Sequence, residues 1–440
     1  MPHEGGTQLR HVPRLRRESK APDQEVFVHP PCALCRSAAT ASAIVAMVCA
    51  LACEPATAAD PATTTDADTL SKARAVGTKS RAQKKYYTKQ FDLSGLPEYK
   101  PQQRVSGTIR QWGNNYIKDS PLAEAWEAGF KKYHPDVKFA DNLSSSAVAF
   151  PGLIAGVADL APMGRQALWD ELKGFEREGA AGGEEGSSNV DVIEIVMATG
   201  SFDVRGWTFA LGVFVNKENP VSRLTLEQLD GIFGGERDGG WDGLTWRTDV
   251  ARGPEKNIRT WGQLGLTGEW ADKPIHVYGY NLKYHFVDEI DKKVLKGSGK
   301  WNEKLRMYSN VAGQKADGSL TGAGELMMND LAKDKYGIAY TGIPFLNAGT
   351  KPLALAARTG GSYVELTLDN VQSRIYPLTR DVYYYLKREK GKPIDPKAKE
   401  FLRYILSREG QEAVQHDGKY LPLTAQAVHE QLQKLEVASP

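Results

Sequence analysis

The stretch Ser144–Arg165, SSSAVAFPGLIAGVADLAPMGR, carries more of the reading than any other in the chain. Three hydroxyl side chains precede a short apolar run that holds Pro151. Proline lacks an amide proton and fits a helix only in its first turn, where that proton would be unpaired anyway. The spacing therefore predicts a helix that begins just after the serines. Unpaired backbone N–H groups and the positive end of the helix dipole converge at such a start, so an anion can be held there by partial charges and hydroxyls. A plain N-cap serine beside solvated loop explains the same residues without a ligand.

Working outward, Ser120-Pro121 reads as a cap and first-turn proline, and Leu122, Trp126, Phe130 and Tyr133 then fall on one helical face. Asp136 to Phe139 is a short strand, which leads directly into the serines. This order puts the serines where strand ends meet helix starts, the usual ligand position in open α/β sheets. Downstream, Ala210–Asn216, Ile275–Tyr278, Tyr336–Tyr340 and Tyr383–Leu386 read as strands. Thr225-x-x-Gln228 is a capping box opening a helix through Leu229 and Phe233, and Phe401, Leu402, Ile405 and Leu406 cluster on one side of another. The alternation gives an α/β class with mixed sheets. Residues 174–190 and 234–256, rich in glycine and charge, read as surface loops, and residues 60–100 as a linker or flexible arm.

All four cysteines, Cys32, Cys35, Cys49 and Cys53, fall in the first 53 residues beside the one long apolar run, Ala38–Ala52, which is followed by Ala56-Thr57-Ala58. That is the pattern of an export signal over residues 1–59, too short in its apolar part for a permanent anchor. The expected location is periplasmic or secreted; Ala50-Leu51-Ala52-Cys53 also fits the box after which a lipoprotein is acylated, which would anchor the chain through Cys53. The six basic and five acidic residues before Asp60 leave 50 and 49 in the remainder. A near-neutral body argues against nucleic acid or an anionic membrane as partner. His134, His276, His285, His416 and His429 show no metal-ligand spacing, and no nucleophile elbow, phosphate loop or dinucleotide fingerprint is present, so neither a metal, a cofactor nor an enzyme activity is expected.

Over residues 105–425 the sequence resembles the phosphate-specific periplasmic solute-binding proteins of bacterial ABC importers. The likeness rests on an ordered series: Gly156-x-x-Asp159-Leu160-Ala161-Pro162-Met163, Val215-Asn216-Lys217-x-Asn219-Pro220, Leu224-Thr225-Leu226-x-Gln228-Leu229, Thr260 to Gly265, Gly337 to Tyr340, Tyr376 to Arg380, Leu406 to Gln411 and Leu421 to Leu423. It implies a two-lobe periplasmic-binding-protein fold, mixed sheets flanked by helices, with two hinge crossings. Lobe one would take 101–212 and 374–436, lobe two 213–373. The implied function is capture of an oxyanion, phosphate first, by a monomer that delivers it to an ABC permease.

The resemblance makes Ser145, Ser146 and Arg165 anion-binding candidates, together with Asn114, Asn115 and Tyr116 in the loop after the first strand, for whose asparagines a turn role is the other reading. The pattern departs at three places. Gly164-Arg165 stands for a Ser-Arg pair, Tyr280 for an arginine, and Lys283-Tyr284-His285 for Ser-Gly-Thr. Tyr280, Asn281, Lys283 and His285 thus become candidates of altered chemistry, suited to a larger anion, and Thr321, which with Gly322 precedes another helix, is a candidate through backbone donors. Two rivals stay open: a sensing or scavenging protein of the same fold, and a phosphate-ester hydrolase with Ser146 as nucleophile and His285 as base.

Overall fold

The computed structural model describes residues 86–179, 189–314 and 320–436. The chain divides into Met1–Ala58 and Ala59–Pro440, and every described residue belongs to the second unit. The expected export signal, Cys53 and the arm up to residue 85 lie outside the described residues.

Two groups of strands form the scaffold. In the first, Gly107–Trp112 pairs in parallel with Val137–Asn142, and an isolated parallel bridge from Gln111 to Leu160 leads on to Ala161–Met163. That short strand and the ten-residue Val190–Thr199 both run antiparallel to Asp381–Glu389, which lies between them. The second group is one five-stranded sheet in the order Arg306–Tyr308, His276–Tyr280, Gly337–Thr341, Gly212–Asn216, Thr350–Pro352. Its first three strands are parallel, and Gly212–Asn216 is antiparallel to both neighbours. The mixed α/β class read from the sequence is what the chain adopts. It passes from the first group to the second through residues 200–211 and returns before Asp381.

Local chemistry fixes the elements as expected. The Thr225 hydroxyl accepts from the Gln228 N–H at 3.1 Å and the Gln228 amide oxygen accepts from the Thr225 N–H at 2.9 Å, closing the capping box of Leu226–Phe233. In helix Leu122–Lys131, Trp126 and Phe130 are fully buried, and the Trp126 indole N–H donates to the Gly410 carbonyl at 2.9 Å. Phe130 and Phe401 meet with ring centroids 5.2 Å apart. Burying a side chain of this size stabilises by about 1.5–3 kcal/mol, so the front of the chain and helix Pro396–Ile405 are joined in one core.

Three expectations need correction. The arm expected to be flexible is packed over its described part, where Tyr87, Leu93, Leu96 and Tyr99 are buried and the Tyr99 hydroxyl donates to Glu400 at 2.7 Å. The segment 174–190 is not all loop. Helix Trp169–Gly179 runs into it with Phe175 buried, and Val190 begins the long strand; residues 180–188 lie outside the described set. Within 234–256, Gly240–Asp242 and Thr245–Arg247 form an antiparallel hairpin, and two of the segment's charges, Arg237 and Arg252, are buried on Asp230. Those two charges are paired internally, whereas Asp242, Arg247 and Asp249 on and beside the hairpin are exposed to solvent.

Beneath the first sheet the amide of buried Gln111 donates at 3.1 Å to both Glu127 and Asp141. Burial and the Asp141 charge push the Glu127 carboxyl up to about 8. A carboxyl that holds its proton more tightly folded than unfolded, where its value is about 4.3, contributes fully below that pH and progressively less up to about pH 8. Glu127→Gln mimics the protonated form, so thermal melts between pH 5 and 9 should show an alkaline fall in the parent that the variant lacks; parallel curves would refute this.

Candidate functional site

The serine cluster divides its roles. Ser145, exposed, accepts from the Ala147 N–H at 3.2 Å and caps the 3-10 turn Ser146–Val148, which runs on into helix Ala149–Ile154 with Pro151 in its first turn. Ser144 donates to the Asn142 side chain at 3.0 Å. For Ser145 the plain cap is the observed arrangement. Ser146, half-buried, instead turns toward Gly164 and accepts from its N–H at 3.3 Å, a bond that uses a lone pair and not the hydroxyl proton.

Gly164 is a meeting point. Its carbonyl accepts from the Thr208 hydroxyl at 2.8 Å, and a Cβ on it would lie 3.0 Å from both Asn114 Nδ2 and Thr208 Oγ1. The Asn114 N–H donates to the Pro162 carbonyl at 2.7 Å, and its Oδ1 accepts from the Tyr116 N–H at 2.9 Å. Three polar side chains, Asn114 from the loop after the first strand, Ser146 from the serine cluster and Thr208 from the first crossing segment, therefore converge on Gly164 at the third strand's end. Tyr116 packs edge-on against Trp207, centroids 5.5 Å apart, and borders this cluster. Asn115 faces another way, donating to Asp119 at 2.7 Å.

Arg165 does not offer a free fork. Buried, it makes a bidentate pair with Glu171, both contacts 2.7 Å, and donates to the Gln166 carbonyl at 3.0 Å. Its carboxylate lies only six residues on, at the start of the helix beginning at Trp169. The two terminal nitrogens of Arg165 are thus taken by Glu171 and the Gln166 carbonyl, while its Nε has no partner among the described residues.

On the second sheet Tyr280 is buried, its hydroxyl 2.6 Å from Thr341 Oγ1. Burial pushes that hydroxyl up from its ordinary value, against the opposing pulls of Thr341, Arg380 and Arg205. A Cβ on Gly324 would lie 2.7 Å from the Tyr280 hydroxyl, so this ring needs glycine in the first turn of helix Ala323–Leu331. Asn281 makes a local turn, accepting from the Lys283 N–H and donating to Ser309, both at 3.1 Å. Lys283 is exposed. His285 opens helix His285–Lys293, and its side chain lies outside the described residues. Thr321 pairs with Val311 just before Gly322, the cap of helix Ala323–Leu331. The structure thus gathers Ser146 and Tyr116 near Gly164, and places Tyr280 in the five-stranded sheet and Thr321 in a separate two-stranded ribbon with Val311–Gln314. Asn115, Arg165 and Asn281 are engaged elsewhere.

Arg205 and Thr208, in the crossing segment, escaped the sequence reading. Arg205 sits over the Phe345 ring at 5.1 Å, pairs with Glu325 at 3.4 Å, and would meet a Gly322 Cβ at 3.2 Å. The signal was present as a polar and aromatic run, Ser201 to Thr208, between two apolar strand segments. Arg165, Arg205 and Arg380 each have a glutamate beside them, Glu171, Glu325 and Glu289 respectively.

A cavity of about 880 Å³ opens one residue past Arg165, lined among others by Trp169, Trp241, Glu194, Asp288 and Asp291, and its lining includes none of the candidates read from the sequence. Burial and then the Asp288 charge push Asp291 up to about 6 against a bond from the Gly299 N–H. Arg247, Lys292 and Lys296 share this lining with the carboxylates, so the walls of the cavity are mixed in charge.

Residues 100–409 match the family model described as a PBP superfamily domain. The chain belongs to this superfamily. Among curated members, the phosphate-binding protein PstS of Pseudomonas aeruginosa is 31% identical over 343 residues, covering 77% of this chain and 90% of that protein. Protein SphX of Synechococcus elongatus is 22% identical, covering 70% of this chain and 75% of its own length. A crystal structure of a possible phosphate binding protein from Planctomyces limnophilus aligns with TM-score 0.41 and 20% identity over 76% of this chain and 98% of that one. As a PBP superfamily member the chain joins its two strand groups by the segments that carry Thr208 and Arg380.

Proposed function

We propose that the chain is an exported solute-binding receptor, not an enzyme, that holds a small tetrahedral oxyanion, phosphate first, between two lobes and passes it to an ABC permease. The lobes are 101–212 with 374–436, and 213–373. The observation that carries the reading is the 31% identity over nine-tenths of a phosphate-binding protein, supported by convergence of Ser146, Asn114, Tyr116 and Thr208 around Gly164. The apolar run Ala38–Ala52 supports export to the periplasm or medium, with Cys53 as the lipid attachment if the chain is anchored.

Tryptophan emission reports on the site directly, because Trp207 packs against Tyr116 and is followed by Thr208. Inorganic phosphate titrated into the purified chain lacking residues 1–59 should change that emission saturably, and calorimetry should give one site per chain. With the arginines matched by glutamates, affinity should vary little between low and moderate sodium chloride. No response to phosphate, arsenate or sulfate removes this reading.

A further inference from the structure

Residues 86–91 precede every strand of both groups, and a stretch in that position frays unless something ties it down. Here it is tied along its length. The Tyr86 and Tyr87 N–H groups both donate to the Gly418 carbonyl, at 3.1 and 2.9 Å, and the Phe91 N–H donates to Gln415 Oε1 at 2.6 Å, which fixes the stretch to the end of helix Arg408–Asp417. The Tyr87 ring is buried, and its hydroxyl reaches the first crossing segment. That hydroxyl accepts from the Phe202 N–H at 2.8 Å and the Asp203 N–H at 3.2 Å, and it donates to Asp203 Oδ1 at 3.0 Å. Its one proton and both lone pairs are therefore spent on the crossing. Lys89 forms an ion pair with Asp369 in helix Leu368–Gln372, the last helix before the chain returns.

The two crossings are bonded to each other, the Gly200 N–H donating to the Arg380 carbonyl at 2.8 Å and the Leu211 N–H to the Leu378 carbonyl at 3.1 Å. A hinge of this kind turns by dihedral changes in a few residues of the connecting segments. Tyr87 grips the first segment at Phe202 and Asp203, and Phe345 and Glu325 grip it from the other side at Arg205. Resting on the two-lobe receptor reading above, we propose that residues 86–91 are a strap over the hinge, a third and non-covalent link between the lobes, whose Tyr87 and Lys89 contacts favour the arrangement that grips the anion. A restraint shifts a conformational balance only if it is made in one state and lost in another. The strap meets that condition: it is fixed to one strand group at Gly418, while Asp203 and Asp369 lie where the chain leaves that group and where it returns.

Tyr87→Phe keeps the buried ring and removes only the hydroxyl. Stopped-flow tryptophan emission, with Trp207 in the same segment as Asp203, should show phosphate leaving this variant about three- to tenfold faster than the parent, the net worth of one hydrogen bond. Calorimetry should show affinity weakened to match, because apparent affinity falls with the fraction of protein in the binding arrangement. Lys89→Ala should act in the same direction and by less, since its ion pair is exposed. Tyr99→Phe is the control: it deletes a hydroxyl that bonds Glu400 and His134, both at 2.7 Å and neither in a crossing, so it should lower the denaturant midpoint and leave release unchanged. Small-angle scattering needs no ligand, and ligand-free Tyr87→Phe should have a larger radius of gyration than the parent while Tyr99→Phe should not. Equal release from the parent and Tyr87→Phe would overturn the strap and leave the receptor function intact, as would equal acceleration in Tyr99→Phe. A parent that binds no phosphate overturns the receptor reading, and the scattering comparison then decides the strap alone, equal radii overturning it.

Discussion

Asp230→Ala is expected to destabilise the protein by about 3–5 kcal/mol, the range for removing one partner of a buried ion pair. Arg237 grips the Asp230 carboxylate bidentately at 2.6 and 2.7 Å, and Arg252 adds a contact at 3.2 Å and a bond to the Asp230 backbone carbonyl at 2.6 Å. The side chains of the two arginines are only 4% and 3% exposed. Without the carboxylate, two guanidinium groups in a low-dielectric site lose their bonded counter-charge, and Arg237 keeps only the electrostatic influence of Asp291. The affected segment is the one that carries the Gly240–Asp242 and Thr245–Arg247 hairpin, so its protection from hydrogen exchange should fall first. Denaturant midpoints at pH 7 measure the effect. Asp230→Asn should cost nearly as much as the alanine, because charge rather than volume is decisive. A loss below about 1 kcal/mol in both variants would mean that water reaches the arginines and the cluster is not a buried one.

What the sequence made legible and what it hid divide along contact range. Pro151, the Thr225-x-x-Gln228 box and the apolar face of Leu122, Trp126 and Phe130 are local patterns, and each forms the element that its pattern predicts, although Tyr133, read on the same face, lies past the helix end and is exposed. Strand Val190–Thr199 was also legible in principle, since Val190-Asp191-Val192 begins a period of two, yet the sequence reading takes 174–190 as a loop and places no strand after it. Site residues fared worse because their roles depend on partners. Nothing near Arg165 in the sequence says that Glu171 will fold back to claim its guanidinium. Asn114 and Asn115 are adjacent and identical in type, yet one is buried with an unpaired amide and the other binds Asp119. Thr208 enters the site only because the crossing segment passes Gly164, a contact between residues 44 apart.

The same crossing region supplies the second large effect. Glu289, 3% exposed, lies 3.6 Å from the Arg380 guanidinium and 3.7 Å from the Lys293 ammonium. Burial opposes its charged form, but Lys293 and Arg380 overcome burial and hold the carboxyl below its usual value. A depressed folded value contributes stability that is present above the unfolded value, about 4.3, and is lost as pH falls through the folded one. Glu289→Gln should therefore cost about 3–5 kcal/mol at pH 7, with the gap to the parent closing in acid below about pH 4. Its loss also releases positive charge where the ligand is expected, because Arg380 is among the charges acting on the Tyr280 hydroxyl. A bound anion then supplies the missing counter-charge, and binding to the folded state alone raises its stability. Added phosphate should accordingly raise the melting temperature of Glu289→Gln by more than it raises that of the parent. Equal shifts would place Arg380 outside the electrostatic reach of the bound anion, and equal stabilities at pH 7 would show that the Glu289 cluster is solvated.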